Sequence, residues 1–341
     1  MIKFFRKIRR NLLQKNRVGK YLLYAFGEII LVVIGILIAL QLNNINEEKA
    51  NEQKIISILK EVQKDLKTNI KRAIQYYDDY IELDSTQNII MNDLYTYNDY
   101  KEGRARNIGN LYRDFVPLKN GWEELNNNLN LVPKKYGSIV NQLKLLHTIG
   151  FSEINTYNQR IKKTVYDHID FIYKKDWALD YERGVMSDKL INFFLHDPQY
   201  KSYLIKYLND RRNLAGETQL LKSKAINLYK EISNQIGVNE NLSEFMKIED
   251  KYSSDAKTLI GHYKLVKKIG DNYDKEISIT QNDKYLFITF LPSDFKERLV
   301  YHKKNILNLK GRSTYIKVQE DQISLEFGIG GRAIYTKIKN K

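Results

Sequence analysis

No cysteine occurs among the 341 residues, which excludes disulfides, zinc–thiolate centres and a thiol nucleophile. Histidine is scarce: His147, His168, His196, His262 and His302 lie far apart, without the H-E-x-x-H or similar spacing that gathers metal ligands on one helix. Neither a G-x-S-x-G elbow nor a phosphate-binding loop is found. The glycine-rich "GIGGRA" at 328–333 is followed by residues that read as a strand, so no helix N-terminus is available to a phosphate and the stretch reads as a hairpin turn. Adjacent carboxylates exist at Asp78–Asp79 and Glu123–Glu124, but neighbours on a helix diverge by about 100° and cannot flank one substrate bond. They read as solvated acids. Asp176, Asp180 and Arg183 beside Trp177 read as a salt-bridged helix face, and Tyr200, Tyr203 and Tyr207, at helical spacing, as core. The residues nominate no catalytic group, no cofactor and no metal ligand.

Acidic residues are absent from the first 27 positions, whereas Lys3, Arg6, Lys7, Arg9, Arg10, Lys15, Arg17 and Lys20 crowd the first 20. The formal charge of +15 is therefore largely a tail, and only +7 belongs to the rest. Nucleic acid is not an expected partner. Long apolar runs are equally rare, with one in the whole chain. From Tyr21 to Leu42, 22 residues carry a single charge, Glu28, and as a helix they span roughly 33 Å, about one bilayer core. Basic residues precede the run and Glu47, Glu48 and Glu52 follow it, so the positive-inside rule places residues 1–20 in the cytoplasm and the rest outside. Ala39 followed by "LQLNN" is a poor signal-peptidase site, which makes the run an uncleaved signal anchor. The tail alternates Ile2, Phe5, Ile8 and Leu12 with cations, suiting a short helix on anionic inner-membrane lipid.

Within the span, Gly27, Leu31, Gly35 and Ala39 recur every four residues beside Glu28. Such a face lets backbones approach and gives Glu28 a polar contact, with a second copy or an envelope protein as the partner. The competing reading is a glutamate resting at the cytoplasmic interface.

Proline is missing before Pro117. Ile55, Leu59, Val62, Leu66, Asn69, Ala73, Tyr76, Tyr80, Leu83, Gln87, Ile90 and Leu94 follow in alternating steps of four and three, as a bundle or coiled-coil seam requires. Ile70, Ile74, Tyr77 and Ile81 widen the stripe towards a multi-helix bundle. Further helices are expected at 133–148, 152–178, 187–196 and 199–235, punctuated by Gly103, Gly121, Pro133, Gly150, Gly184, Pro198 and Gly237. Near residue 258 the apolar period changes from 3.6 to 2, with Ile277 and Ile279, then Leu286, Ile288 and Phe290, then Ile323, Leu325 and Phe327. About eight short strands fit, enough for a small antiparallel meander or barrel with a filled core.

The stretch "GKYLLYAFGEIILVVIGILIALQLNNINEE" resembles the start of a family of uncharacterised single-pass membrane proteins of Bacteroidota-type Gram-negative bacteria, with Gly27, Glu28, Gly35, Ala39, Gln41, Asn43, Asn44, Asn46 and Glu47 in the shared positions. Ile45 stands where that family usually has an aromatic. "GWEELNNNLNLV" at 121–132 is similar to a second short motif, and Gly261 with Tyr263 faintly resembles the opening of lipocalin-like modules, with tyrosine in place of tryptophan. The resemblance implies an inner-membrane anchor and a mostly helical periplasmic region, and no activity. The expected fold class is α+β: a basic tail (1–20), one transmembrane helix (21–42), an extracytoplasmic antiparallel helical bundle (43–255) and a small antiparallel β domain (256–341). The expected function is a membrane-anchored interaction, sensor or scaffold protein without catalysis. The alternative is a tethered envelope hydrolase whose site assembles only in three dimensions.

Overall fold

A computed structural model describes residues 18–105, 112–237, 258–270, 273–282, 285–310, 312–327 and 331–338. The basic tail to residue 17 and the first half of "GIGGRA", residues 328–330, lie outside them. Helix α1 runs unbroken from Val18 to Met91, 74 residues, or about 110 Å. It meets three environments in turn. Its first part is apolar on every side and exposed, with mean hydropathy 2.5 over an 18-residue window, the one helix among the described residues long and apolar enough to cross a membrane. Residues 43–50, "NNINEEKA", are exposed all round. From Ile55 onward the seam is buried: Leu59, Val62, Leu66, Asn69, Ala73, Tyr76, Tyr80, Gln87 and Ile90 all lie in the interior. Leu94, the expected last seam position, is instead exposed, because α1 stops at Met91 and Asp93, at φ 53°, turns the chain away.

The seam packs against a second long helix running the other way. Lys201 donates to the Ile90 carbonyl at 2.8 Å and Gln63 to Ser233 Oγ at 2.8 Å, which fixes the antiparallel sense. Helices α2 (Tyr97–Lys101), α3 (Asn120–Asn126), α4 (Gly137–Leu145), α5 (Phe151–Ile172), α6 (Ala178–Glu182) and α7 (Asp188–His196) lead to that helix, α8 (Pro198–Ile236). Its ends are chemically marked: Asp197 caps the Gln199 and Tyr200 amides, Pro198 opens the first turn, and Gly237 closes it at φ 69°. Gly150 does not break the chain as expected. It has helical angles within a π turn, Leu146–Gly150, that welds α4 to α5. The helix expected to reach 178 ends at Ile172, and the turn beyond it buries Trp177. The core is thus three long rods, α1, α4–α5 and α8, closed at one end by stacked rings such as Tyr100 on Phe194 and His168 on Tyr203.

Eight strands follow: β1 (Gly261–Ile269), β2 (Glu276–Asn282), β3 (Tyr285–Leu291), β4 (Phe295–Lys303), β5 (Ile306–Leu309), β6 (Tyr315–Gln319), β7 (Gln322–Phe327) and β8 (Gly331–Lys337). Each pairs antiparallel with the next, and β8 returns to β1 (Lys264 opposite Thr336), closing a barrel. The alternating residues Ile277, Ile279, Leu286, Ile288, Phe290, Ile323 and Leu325 point inward, into one apolar cluster with Tyr263 and Tyr335.

Gly121 sets how close α3 comes to α1. A Cβ there would lie 2.5 Å from the Val62 amide nitrogen, and its own N–H donates to Asp65 at 2.8 Å. Gly121→Ala is expected to cost about 1–3 kcal/mol by overpacking against backbone that cannot swing aside. Gly137→Ala, where a Cβ meets nothing within 4 Å, serves as the control. Thermal unfolding of the two variants checks this, and equal melting temperatures would contradict it.

Candidate functional site

Over residues 112–119, the strap that leads into α3, the chain has neither helix nor strand, and two buried asparagines hold it. Asn158 of α5 donates to the Phe115 carbonyl at 2.8 Å and accepts the Phe115 N–H at 3.1 Å. Asn69 of α1 does the same for Leu118, at 2.9 and 2.7 Å. Each side-chain amide presents one donor and one acceptor, as a neighbouring strand would, so the strap is satisfied without a sheet. That is why a polar residue occupies the α1 seam at position 69.

The strap delivers α3 to the π turn. There the Trp122 ring stacks on His147 with centroids 5.1 Å apart and planes at 21°, and His147 meets Phe151 at 4.4 Å. His147 Nδ1 donates to the Leu143 carbonyl at 2.8 Å, and burial pushes its pKa down to about 4, so the ring is neutral at pH 7. Phe115, Pro117 and Ile154 form the back wall, while Thr148, Ser152 and Asn155 stand at the exposed lip. The two charged lining groups, Lys119 and Glu123, pair at 2.7 Å. The cleft encloses about 490 Å³, within the range of small-molecule sites.

A second constellation joins bundle to barrel. The Tyr77 hydroxyl donates to the Ser313 carbonyl at 2.9 Å, Tyr80 meets Tyr315 edge-on at 6.5 Å, and the His302 ring packs 4.8 Å from Tyr77. Asp78 accepts from His302 Nε2 at 3.0 Å and from Lys303 at 2.6 Å. Burial drives His302 down to about 4 against the opposing pull of Asp78, so it donates as a neutral ring. Burial alone would raise the Asp78 carboxyl, but the hydrogen bonds from Lys303 and His302 prevail and hold it below the usual carboxylate range. His302 is buried in the joint, and Asp78 lies half-buried at its edge.

One expectation from the sequence, that for Asp78, is corrected here, and the structure places the other residues singled out there as follows. Asp78 is not a solvated acid but the anchor of the joint, while Asp79 pairs with Arg113 and Glu123 with Lys119. Asp176 pairs with Lys189. Tyr200 and Tyr207 are core, and the half-buried Tyr203 lies on His168 at 3.7 Å. Gly27, Glu28, Leu31, Gly35 and Ala39 line neither cleft nor joint. They lie on the lone part of α1, where a Cβ at Gly27 or Gly35 would meet nothing within 4 Å. Among the described residues, no group of three or more His, Asp or Glu side chains is placed to hold a metal ion. Sequence reasoning missed the Trp122–His147–Phe151 cluster. Its one visible trace was the "GWEELNNNLNLV" motif.

Among the described residues, fold and sites together define a bundle built on one long helix, with a closed barrel docked on it and an aromatic cleft. Residues 28–115, roughly a quarter of the chain, match a family of unknown function (DUF6090), so this chain is similar to that family from the apolar segment to the strap. No curated protein and no solved structure matches it.

His147, His168 and His302 are all pushed down to about 4 by burial. The unfolded chain binds these protons near pH 6.5 and the folded chain only near 4, so stability is lost as pH falls across that window. The expected loss is about 1 kcal/mol per histidine between pH 7.5 and 5.5. Thermal melts at the two pH values check this, with His302→Gln expected to remove about a third of the effect. A melting temperature insensitive to pH would contradict it.

Proposed function

We propose that this protein is a single-pass, non-catalytic interaction protein, a sensor or scaffold subunit, anchored in the inner membrane of a Bacteroidota-type envelope with residues 1–20 in the cytoplasm and the bundle and barrel in the periplasm. The observation that carries this reading is the continuity of α1. A tether alone would be served by a flexible linker, whereas an unbroken helix fixes distance and direction. At 1.5 Å per residue, the first buried seam residue, Ile55, lies about 20 Å beyond Leu42, and the joint at Asp78 about 54 Å beyond it. The barrel is thus displayed well clear of the bilayer. Its inward side chains form one apolar cluster, which supports recognition at surfaces over a ligand held in its lumen. The lipocalin-like character proposed for it rests on strand number and the Gly261–Tyr263 opening. Partners on this reading are membrane lipid along the span and an envelope protein or a second copy along Gly27, Leu31, Gly35 and Ala39. The hydrolase alternative draws on the His302–Asp78 pair, and the packing of Tyr77 over that pair disfavours it.

Reporter domains fused after residue 60 test the topology. Activity is expected only from a reporter that works outside the cytoplasm. Activity from a cytoplasm-restricted reporter would overturn the reading.

A further inference from the structure

The cleft on the π turn has a chemistry specific enough to name what it takes. Its floor is a continuous aromatic surface, Trp122 on His147 on Phe151. Its lip carries Thr148 of the π turn with Ser152 and Asn155 of α5, so a hydroxyl, a hydroxyl and an amide line the same cleft at exposed positions. The Thr148 hydroxyl donates to the Lys144 carbonyl at 2.8 Å, which leaves its oxygen able to accept. The charged lining groups neutralise each other, since Lys119 and Glu123 pair at 2.7 Å. A phosphate, a carboxylate or an ammonium would find no unpaired counter-charge, and its desolvation would go uncompensated. A purely apolar ligand would strip water from the lip without replacing its hydrogen bonds.

We propose that this cleft binds an uncharged, hydroxyl-rich ring ligand, a unit of a neutral glycan, with one apolar ring face on Trp122 and its hydroxyls along Thr148, Ser152 and Asn155. Burial keeps the His147 ring neutral against the opposing pull of its bond to the Leu143 carbonyl, so the floor stays apolar for such a face. The proposal rests on the periplasmic reading for its location only, so a failed binding experiment leaves the reporter experiment untouched.

Two tryptophans make the test direct. Trp122 lines the cleft, whereas Trp177 is buried in the aromatic end of the bundle and serves as an internal control. The full chain in lipid nanodiscs is titrated with neutral hexose and N-acetylhexosamine oligosaccharides of two to four units, with an oligouronate and indole as comparison probes. A saturable change in emission with the neutral oligosaccharides is expected. Trp122→Phe should abolish it, and Ser152→Phe, which blocks an exposed lip position, should weaken it at least tenfold with the fold retained by circular dichroism. Absence of any response up to about 10 mM, where even weak recognition registers, would overturn the proposal. So would tighter binding of the oligouronate or of indole, or an unchanged response in Ser152→Phe.

Discussion

One helix must satisfy three solvents in sequence, and the rest of the molecule is arranged around that requirement. α1 is apolar and exposed over the span, where none of the described residues buries it, exposed on all sides over the mostly polar residues 43–50, and striped from Ile55 to Ile90 where α8 lies against it. Without a proline before Pro117 or a capping break, the backbone hydrogen bonds continue through both boundaries. Orientation set at one end is therefore transmitted to the other. On the proposed topology, α1 holds the strap, the cleft and the barrel at fixed heights above the bilayer.

Packing supplies most of the bundle's stability, but polar contacts decide how its parts are positioned. The asparagine clamps at Asn69 and Asn158 hold a segment that is neither helix nor strand, and thereby place α3 and Trp122. At the joint, Asp78 gathers His302 and Lys303 while the Tyr77 hydroxyl reaches the barrel backbone at Ser313. Such contacts add little net energy when formed, yet losing a partner strands a buried polar group at Asn158, Tyr77 or His302, so they penalise misdocked arrangements.

The α+β class was legible because the hydrophobic period is a direct consequence of backbone geometry. The step from 3.6 to 2 near residue 258 anticipated the barrel, and the alternating residues of β2, β3 and β7 are the ones that fill it. Closure of β1 on β8 was not legible, since pairing between residues some 70 apart leaves no local trace. Gly150 misled because glycine is compatible with a helix when a π turn needs it there, and Leu94 because a periodic pattern does not register where the helix stops. The sites were nearly invisible. Asp78 and His302 are 224 positions apart, Trp122 and His147 belong to separate elements, and the polar residue at seam position 69 was a slight hint that something other than packing happened on α1.

The central claim is that α1 is one rigid rod from the apolar span into the bundle, and a distance across residues 43–54 tests it most directly. The absence of native cysteine allows spin labels at Asn44→Cys and Lys67→Cys, both exposed, in the full chain in nanodiscs. Pulsed electron paramagnetic resonance should give a single narrow distribution centred at about 35 Å, the rise of a continuous helix over that interval. A broad distribution, or one centred well below that value, would mean that the chain hinges between membrane and bundle and would contradict the account.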